Sequence, residues 1–520
     1  MTRLLASLAA LGTLLPAFLP AAADASRGQR TMFEDTGQLL ESGPEIRAHT
    51  LDELKALGVN IVKVRVQWHE LAPEPGAESK PAFDAADPSA YPQAPFAKYD
   101  DLVLQASQRG FRIFLMFSPP APEWATARGE RSGHIGVRRP DPEEFAAFVR
   151  AIGIRYGGAF GGLPKVSMWS IWNEPNHPQF IQPLSERLGG RLTPSAPHQY
   201  RRLYVAARQA LGETGHDRDT ILFGEILPIG SRRLGALRNI RPIQWLREFF
   251  CVDSRYRPLR GRAARVRGCS RFPRIRTSGF AYHAYSRPTG PRTRVANPDD
   301  ATIGQIVRVE RALDRIARTR RVRRKLPIYN TEFGIQTNPP DCVGFGAPLE
   351  DQASHINEAE YISWTRPRVR SYSNYLLIDD RIHLDRPPGS NARYGGFQSG
   401  LRFGENALLC ESPTLRFGFA EEKPGYAAFR TPLWVRQLGP RQVEVFGRAR
   451  PRGRGEQVIE ILRSRRVVRT ITARGYFRVR LRTNPRGTWQ LRWTDGAQTY
   501  RSRTARAVPD GSRSTGAARR

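Results

Sequence analysis

The chain has 520 residues, of which 40% are hydrophobic and 10% aromatic, so it can bury a large core and is not an intrinsically disordered protein. Its formal net charge is +33, from 82 Lys and Arg against 49 Asp and Glu, and only seven of the cations are lysines. The 46 Gly and 41 Pro exclude a coiled-coil or collagen-like rod and indicate many loops. This length suits a barrel-sized domain with an appendage.

The N-terminus has the pattern of a secretory signal peptide. Arg3 supplies a positive charge, residues 4–19 form an apolar stretch, and Ala23-Asp24-Ala25 offers a cleavage site before Ser26. The alternative is an uncleaved membrane anchor, although the stretch is short for a span, and no later stretch reaches about 18 uninterrupted apolar residues. The sequence therefore predicts an exported protein without a transmembrane span.

Four cysteines fit an oxidising compartment, because an even number can pair completely into disulfides. Cys251 and Cys269 close a short Arg-rich loop and are the best candidates for a pair, which leaves Cys342 and Cys410 as further disulfide candidates. The chain has neither CxxC spacing nor a nearby histidine cluster, so we predict no zinc site.

From about residue 30 to 430 the sequence alternates between β-rich apolar runs and helical patterns. Predicted strands lie near Met32 and at 61–67, 112–118, 166–173, 220–225, 279–285, 326–332 and 371–377. Predicted helices lie at 99–109, 142–156, 195–211, 243–250, 303–319 and 425–429. Eight such units predict a (β/α)8 barrel. A doubly wound open sheet is the alternative, but no glycine-rich nucleotide-binding motif follows any predicted strand.

After about Leu433 the pattern changes to short alternating strands, which predict a small β-sandwich. These strands are expected at 443–447, 457–462, 467–472, 476–481 and 488–493. From Pro432 onward there are 22 Arg against 5 acidic residues. This excess is either a solvated basic surface or a patch for an anionic polysaccharide, cell wall or nucleic acid. No groove-reading helix or aromatic RNA platform is present, so no specific nucleic-acid partner is predicted.

Polar residues at the carboxyl ends of barrel strands are the usual catalytic set. The predicted strand ends carry Arg65, Ser118, Asn173, Glu174, Glu225, His283, Tyr285, Glu332, Asp379 and Asp380. Glu174 and Glu332 stand out because each ends an apolar strand, where lost solvation raises a carboxyl pKa unless it is paired. Two such carboxyls facing one cavity push their pKa values apart, as glycoside hydrolysis requires.

These residues carry a family resemblance. Trp172-Asn173-Glu174-Pro175-Asn176 and the later Glu332 resemble the acid/base and nucleophile motifs of clan A glycoside hydrolases, which end barrel strands four and seven. The strand count places Glu174 and Glu332 on those two strands. Further segments that resemble the clan are 64–68 with 73–76, His283-Ala284-Tyr285, 400–401 and 423–429. The pattern is closest to families 5 and 39, and at 118–124 it departs from family 5 by lacking a histidine-bearing segment.

The resemblance implies a retaining double displacement on a β-linked poly- or oligosaccharide, with Glu332 as nucleophile, Glu174 as acid/base and no metal or organic cofactor. It also implies that Asn173 contacts the sugar 2-hydroxyl and that Tyr285, His283 and Arg65 surround the nucleophile. Candidate sugar-stacking side chains are Trp124, Trp68 and Trp364, and burial in the core is the alternative for each.

We therefore predict a signal peptide at 1–25, a catalytic barrel at 26–432, a β-sandwich-like domain at 433–506 and a disordered basic tail at 507–520. The predicted function is that of a secreted glycosidase, with transglycosylation possible through the same intermediate. The alternatives are a non-catalytic carbohydrate-binding protein on the same scaffold and, from charge alone, a binder of nucleic acid or another anionic polymer.

Overall fold

The computed structural model describes residue 26 and residues 28–127, 135–344, 346–410, 412–451 and 455–509. The predicted signal peptide at 1–25, and residues 510–520 of the predicted tail, lie outside the described residues. Within the described ranges, no helix combines the length and the apolar character needed to cross a membrane.

Eight parallel strands form a closed barrel, as the sequence predicted. In chain order they are Arg30–Glu34, Ile61–Gln67, Arg112–Ser118, Met168–Ile171, Thr220–Ile226, Gly279–His283, Ile328–Glu332 and Ser371–Tyr375. The first seven strands pair in chain order, and the eighth pairs with the first. The N–H of Ile328 donates to the carbonyl oxygen of Arg368, and the N–H of Arg370 donates to the carbonyl oxygen of Ile328. These hydrogen bonds join the seventh strand to the start of the eighth. The open-sheet alternative is therefore wrong.

Helices surround the barrel between successive strands and after the last one. The main ones are Pro44–Ala56, Ala97–Gln108, Pro142–Arg155, Ala196–Leu211, Pro242–Phe249, Val307–Ala317, Leu349–Trp364 and Pro424–Arg430. Shorter helices are Trp68–Leu71 and Gly261–Arg265. A hairpin of Ser185–Leu188 and Arg191–Pro194 extends the loop after the fourth strand. Two of the main helices, Pro44–Ala56 and Leu349–Trp364, were not assigned from the sequence.

Local sequence explains where these elements begin and what they bury. The helix Pro142–Arg155 starts at Asp141, whose carboxylate accepts hydrogen bonds from the N–H groups of Glu143 and Glu144, and Pro142 occupies its first turn. The third strand, RIFLMFS, is buried from Ile113 to Ser118 because a parallel strand is covered by side chains on both faces.

Two antiparallel sheets follow the barrel and pack face to face. One contains Leu433–Gly439, Gln442–Arg448, Tyr476–Leu481 and the short Val508–Pro509, and the other contains Gln457–Arg463, Arg466–Ala473, Thr488–Asp495, Gln498–Arg501 and Ala505–Arg506. One apolar cluster holds Val435 and Val445 of the first sheet with Ile461 and Leu491 of the second. This arrangement is the predicted sandwich. The domain boundary at 432 stays a prediction.

Buried polar contacts join the barrel to the sandwich. Tyr361 donates its hydroxyl to Glu444 at 2.9 Å, and the fully buried Arg450 pairs with Glu360. Two disulfides are present, Cys251–Cys269 in the Arg-rich loop and Cys342–Cys410 between the loops that follow the seventh and eighth strands.

Candidate active site

The carboxyl ends of the barrel strands bring a cluster of charged side chains together. Its carboxylates and cations, in chain order, are Glu34, Lys63, Arg65, Glu174, Glu225, His283 and Glu332. They come from the first, second, fifth, sixth and seventh strands and from the loop directly after the fourth. This is the face on which (β/α)8 barrels carry their active sites.

One oxygen of Glu225 is the centre of the buried part of the cluster. Its Oε2 accepts hydrogen bonds from Lys63 Nζ at 3.1 Å, from His283 Nε2 at 2.6 Å and from Thr331 Oγ1 at 2.7 Å. The side chains of Glu225, Lys63 and His283 are all 0% exposed. Burial opposes ionisation of Glu225, but Lys63 and His283 outweigh it and lower the pKa of this carboxyl to about 2.

His283 links this buried carboxylate to Glu174. Its Nδ1 donates to Glu174 Oε1 at 2.8 Å while its Nε2 faces Glu225. Burial alone would lower the pKa of His283, yet the charge of Glu332 and the hydrogen bonds to Glu174 and Glu225 raise it to about 10. The ring is therefore an imidazolium at neutral pH, and both of its nitrogens act as donors.

Glu174 and Glu332 face each other, each with one carboxylate oxygen within 4.8 Å of the other and of a His283 nitrogen. Their side chains are 11% and 12% exposed, so both reach the solvent above the buried cluster. The two carboxyls shift in opposite directions. Burial and the charge of Glu332 raise the pKa of Glu174 against the lowering effect of His283. For Glu332, burial is outweighed by His283 and Lys63, which hold its pKa below the ordinary value.

Donors on three sides keep Glu332 ionised. Tyr285 donates its hydroxyl to Glu332 Oε1 at 2.6 Å, and Lys63 Nζ lies 3.7 Å from Oε2. Arg65 adds a further positive charge, and its Nε lies 3.8 Å from Glu34 Oε1. The opposite shifts favour Glu332 as the ionised member of the pair and Glu174 as the member that holds a proton more readily.

The backbone turns sharply where the catalytic-face side chains emerge. Trp172, Glu174 and Glu225 have positive φ angles of 67°, 38° and 54°, a region that non-glycine residues rarely adopt. At Gly224 a Cβ would lie 2.3 Å from the carbonyl oxygen of Ala281, so only glycine permits this close approach. Strain of this kind persists where surrounding contacts over-determine it, and here it turns Glu174 and Glu225 into the cluster.

Three other residues that were predicted to contact the sugar lie in different environments. Asn173 directly precedes Glu174, and its buried Oδ1 accepts no hydrogen bond from a described residue. Trp124 is half-buried in the loop after the third strand, where it donates its N–H to the carbonyl oxygen of Pro73. Trp68 is fully buried and stacks on Phe148, so it belongs to the core.

The prediction that Trp364 stacks on sugar is wrong in position. Trp364 is the last residue of the helix that returns to the amino-terminal end of the barrel, and it packs against Phe446 of the sandwich. Its backbone carbonyl accepts a hydrogen bond from the N–H of Ser26. The Trp364 ring therefore packs where the barrel meets the sandwich, and not at the face that carries Glu174 and Glu332.

Two members of the cluster, Lys63 and Glu34, were missed by the sequence analysis. Lys63 is a lysine in the middle of the apolar strand IVKVRVQ and shares its inward face with Arg65, which is a readable signal. Glu34 ends the first strand and contacts Lys63 Nζ at 2.9 Å. Applying the strand-end rule to the first strand would have identified Glu34.

Among the described residues, two groups of side chains have the proximity that metal binding requires, but in neither group are all three ligand atoms free. Both ring nitrogens of His283, which lies with Glu174 and Glu332, are donors to carboxylates. The second group is His198 with Cys251 and Cys269, and its two sulfurs are joined in a disulfide. Neither donor set fits a metal ion.

The fold and site together define a (β/α)8 barrel with two opposed carboxyls at the ends of its fourth and seventh strands. No protein-family model and no curated protein matches the sequence.

Similar solved structures exist at low identity. The chain is 12% identical to an FMN-binding β-glucuronidase from Facaelibacterium prausnitzii, with a TM-score of 0.39, and covers 57% of that protein with 94% of itself. It is 14% identical to a β-glycosidase from Thermosphaera aggregans, with a TM-score of 0.47, over 78% of this chain and 96% of that one. It is also 14% identical to a GH5_18 protein from Streptomyces cattleya, solved with GlcNAc, with a TM-score of 0.45 over 78% and 79% of the two chains.

Proposed function

We propose that the protein is a secreted, retaining glycoside hydrolase of clan A that cleaves a β-linked poly- or oligosaccharide. The observation that carries this proposal is the pair Glu174 and Glu332, with oxygens within 4.8 Å and pKa shifts of opposite sign. Retaining glycosidases place their two carboxyls about 5–5.5 Å apart, whereas inverting enzymes need roughly 6.5–9.5 Å to admit a water. The short separation therefore favours double displacement.

In the first step, the ionised Glu332 attacks the anomeric carbon and forms an ester as the bond to the leaving oxygen breaks. Glu174 gives its proton to that oxygen and becomes a carboxylate, which the imidazolium of His283 stabilises through Nδ1. In the second step, Glu174 takes a proton from water, the water oxygen bonds to the anomeric carbon, and the ester breaks. Both carboxyls then regain their starting states.

Two neighbouring side chains serve these steps. The Tyr285 hydroxyl orients the nucleophile through its hydrogen bond to Glu332 Oε1. Asn173 offers an unpaired buried acceptor at the site, and a sugar hydroxyl that donates to it would satisfy that oxygen. The unpaired oxygen therefore supports the role of Asn173 in holding the 2-hydroxyl of the reacting sugar.

The test is hydrolysis of a panel of aryl β-glycosides and β-linked polysaccharides by the mature protein, with Glu332→Gln and Glu174→Ala as variants. Each substitution should cost at least roughly 10²–10⁴-fold in turnover. Glu360→Gln is the matched control, because it changes another fully buried glutamate outside the catalytic face. Azide should restore turnover of Glu174→Ala on activated substrates and form a glycosyl azide, because it replaces the water that Glu174 activates. Sugar binding without turnover would favour the non-catalytic carbohydrate-binding alternative.

Export is part of the proposal and has a separate test. The signal-peptide pattern before Ser26 and the two disulfides support an oxidising compartment outside the cytosol. N-terminal sequencing of the protein recovered from its native compartment should begin at Ser26. A sequence that begins at Met1 would contradict cleavage.

A further inference from the structure

An arginine-rich cleft lies beside the Cys251–Cys269 disulfide, away from the catalytic face. It has a volume of about 680 Å³, within the roughly 300–1,000 Å³ of ordinary ligand sites. Its polar lining includes Arg260, Arg265, Arg274, Arg320, Arg321 and Thr319. No acidic side chain is among its described lining residues, so its wall is uniformly positive.

The cleft sits at the amino-terminal end of the barrel. One wall comes from the segment just before the sixth strand, and the other from the segment after the helix Val307–Ala317 and before the seventh strand. The N–H of Ile275 donates to the carbonyl oxygen of Arg321 at 2.9 Å and ties these walls together. Because Glu174 and Glu332 emerge at the carboxyl ends of their strands, the cleft and the catalytic pair occupy opposite ends of the barrel.

The five cleft arginines lack carboxylate partners among the described residues, unlike many arginines elsewhere in the protein. Arg109 pairs with Asp52 and Arg208 pairs with Asp217 on the barrel surface. In the sandwich, which holds much of the basic excess of the sequence, one buried carboxylate meets three arginines: Glu444 contacts Arg436, Arg478 and Arg480. The positive charge of the five cleft arginines is therefore not offset by a direct contact with a described carboxylate.

Two arginines support the cleft: Arg201 lies outside its lining and holds the disulfide loop, and Arg321 of the lining packs on Phe272. Arg201 is only 5% exposed and donates to the carbonyl oxygens of Phe249, Arg267 and Gly268, which holds the disulfide loop in place. Arg321 lies 4.3 Å from the Phe272 ring centroid, and its buried Nη1 has no acceptor among the described residues. A buried donor without a partner is costly, so an incoming oxyanion would relieve it.

We propose that this cleft binds the carboxylate or sulfate groups of an anionic polysaccharide. Guanidinium groups recognise such oxyanions through paired N–H donors, and several of them converge here on one concave surface. A single-stranded nucleic acid is disfavoured, because proteins that bind single strands use aromatic rings for base stacking. Phe272 is the one aromatic side chain among the described lining residues, and its ring is already covered by the Arg321 guanidinium. Binding at this end leaves the catalytic face free.

The experiment measures equilibrium binding of fluorescently labelled heparin and polygalacturonate to the full-length mature protein at 0.15 M salt, an ionic strength with a Debye length of about 8 Å. The cleft variant is Arg265→Gln with Arg274→Gln, and both side chains are exposed, so the fold is retained. The matched control is Arg441→Gln with Arg465→Gln. It replaces two exposed arginines of the sandwich and so removes the same amount of positive charge. Neutral dextran and a single-stranded oligonucleotide complete the set.

We expect the cleft variant to bind at least one polysaccharide roughly tenfold or more weakly than the wild type, while the control loses less than about threefold. Binding of polygalacturonate, which carries carboxylates and no sulfates, would show that carboxylates suffice for recognition. Equal losses in the cleft variant and the sandwich control would overturn the proposal, as would dextran binding or tighter binding of the oligonucleotide. Because the readout needs no turnover, it is independent of the proposed hydrolase activity.

Discussion

Replacing Glu225 with Gln tests whether the buried carboxylate governs both catalytic groups. The substitution keeps the size of the side chain and an acceptor oxygen, but removes the negative charge between Lys63 and His283. The pKa of Glu225 moves from an ordinary 4.5 to about 2 on folding, which corresponds to about 3 kcal/mol of stability. Since the folded pKa is lowered, this contribution is present above pH 4.5 and is lost as the pH falls towards 2.

Urea unfolding of the wild type and of Glu225→Gln at several pH values measures this contribution. We expect a loss of about 3 kcal/mol at pH 7 that shrinks below pH 4.5. Activity provides the second readout, because without Glu225 the pKa of His283 should fall from about 10 towards its ordinary range near 6.5. The alkaline limb of the kcat/KM profile should then move to lower pH.

Glu360→Gln is the control for both measurements, since it also removes a fully buried glutamate charge, beside Arg450. It should lower stability and leave the pH profile of activity unchanged. A Glu225→Gln protein with wild-type stability and a wild-type pH profile would refute the role assigned to this carboxylate.

Two further predictions concern stability. Replacing Cys342 and Cys410 with Ser opens a loop with a sequence separation of 68, and the chain-entropy relation predicts a loss of about 4 kcal/mol in urea unfolding; no loss would contradict it. Gly58→Ala should cost about 2–4 kcal/mol by thermal unfolding, because Gly58 has φ +68° and its Cβ would lie 2.7 Å from Arg450 Cβ. Gly161→Ala is the matched control, because Gly161 has φ +54° and its Cβ would lie in open space, and it should cost only about 1–2 kcal/mol. Equal losses in the two variants would show that the clash with Arg450 does not contribute.

The barrel could be predicted from the sequence because its strands are apolar runs that alternate with helices. The helix Leu349–Trp364 was not recognised, since polar side chains are mixed with apolar ones on its buried face and hide the amphipathic pattern. Gln352 donates to the carbonyl oxygens of Ser399 and Gly400, and Asn357 donates to that of Ala428. These partners come from distant parts of the chain, so local periodicity could not reveal them.

The candidate site was predictable where chemistry follows from position along a strand. Glu174 and Glu332 were found from their strand ends, but the role of Glu225 as a shared acceptor depends on a three-dimensional convergence of donors. The prediction for Trp364 was wrong because the identity of an aromatic residue does not indicate the end of the barrel at which it lies. Its contact with Phe446 depends on how the sandwich packs against the barrel.

Lys63 provides a final test of how the nucleophile is kept ionised. Burial opposes ionisation of Glu332, and His283 and Lys63 are the two charges that do most to lower its pKa. Lys63→Met keeps much of the side-chain volume but removes the charge, so the pKa of Glu332 should rise. Because only the ionised carboxylate attacks, the acidic limb of the kcat/KM profile should move to higher pH, with activity on an activated aryl glycoside recovering as the pH increases.

Arg65→Met is the comparison variant for this measurement. The Arg65 side chain is 31% exposed, so water screens its charge more than that of the fully buried Lys63. We therefore expect Arg65→Met to move the acidic limb in the same direction by a smaller amount. An acidic limb that stays in place in Lys63→Met, or that moves further in Arg65→Met, would show that the buried lysine does not set the ionisation of Glu332.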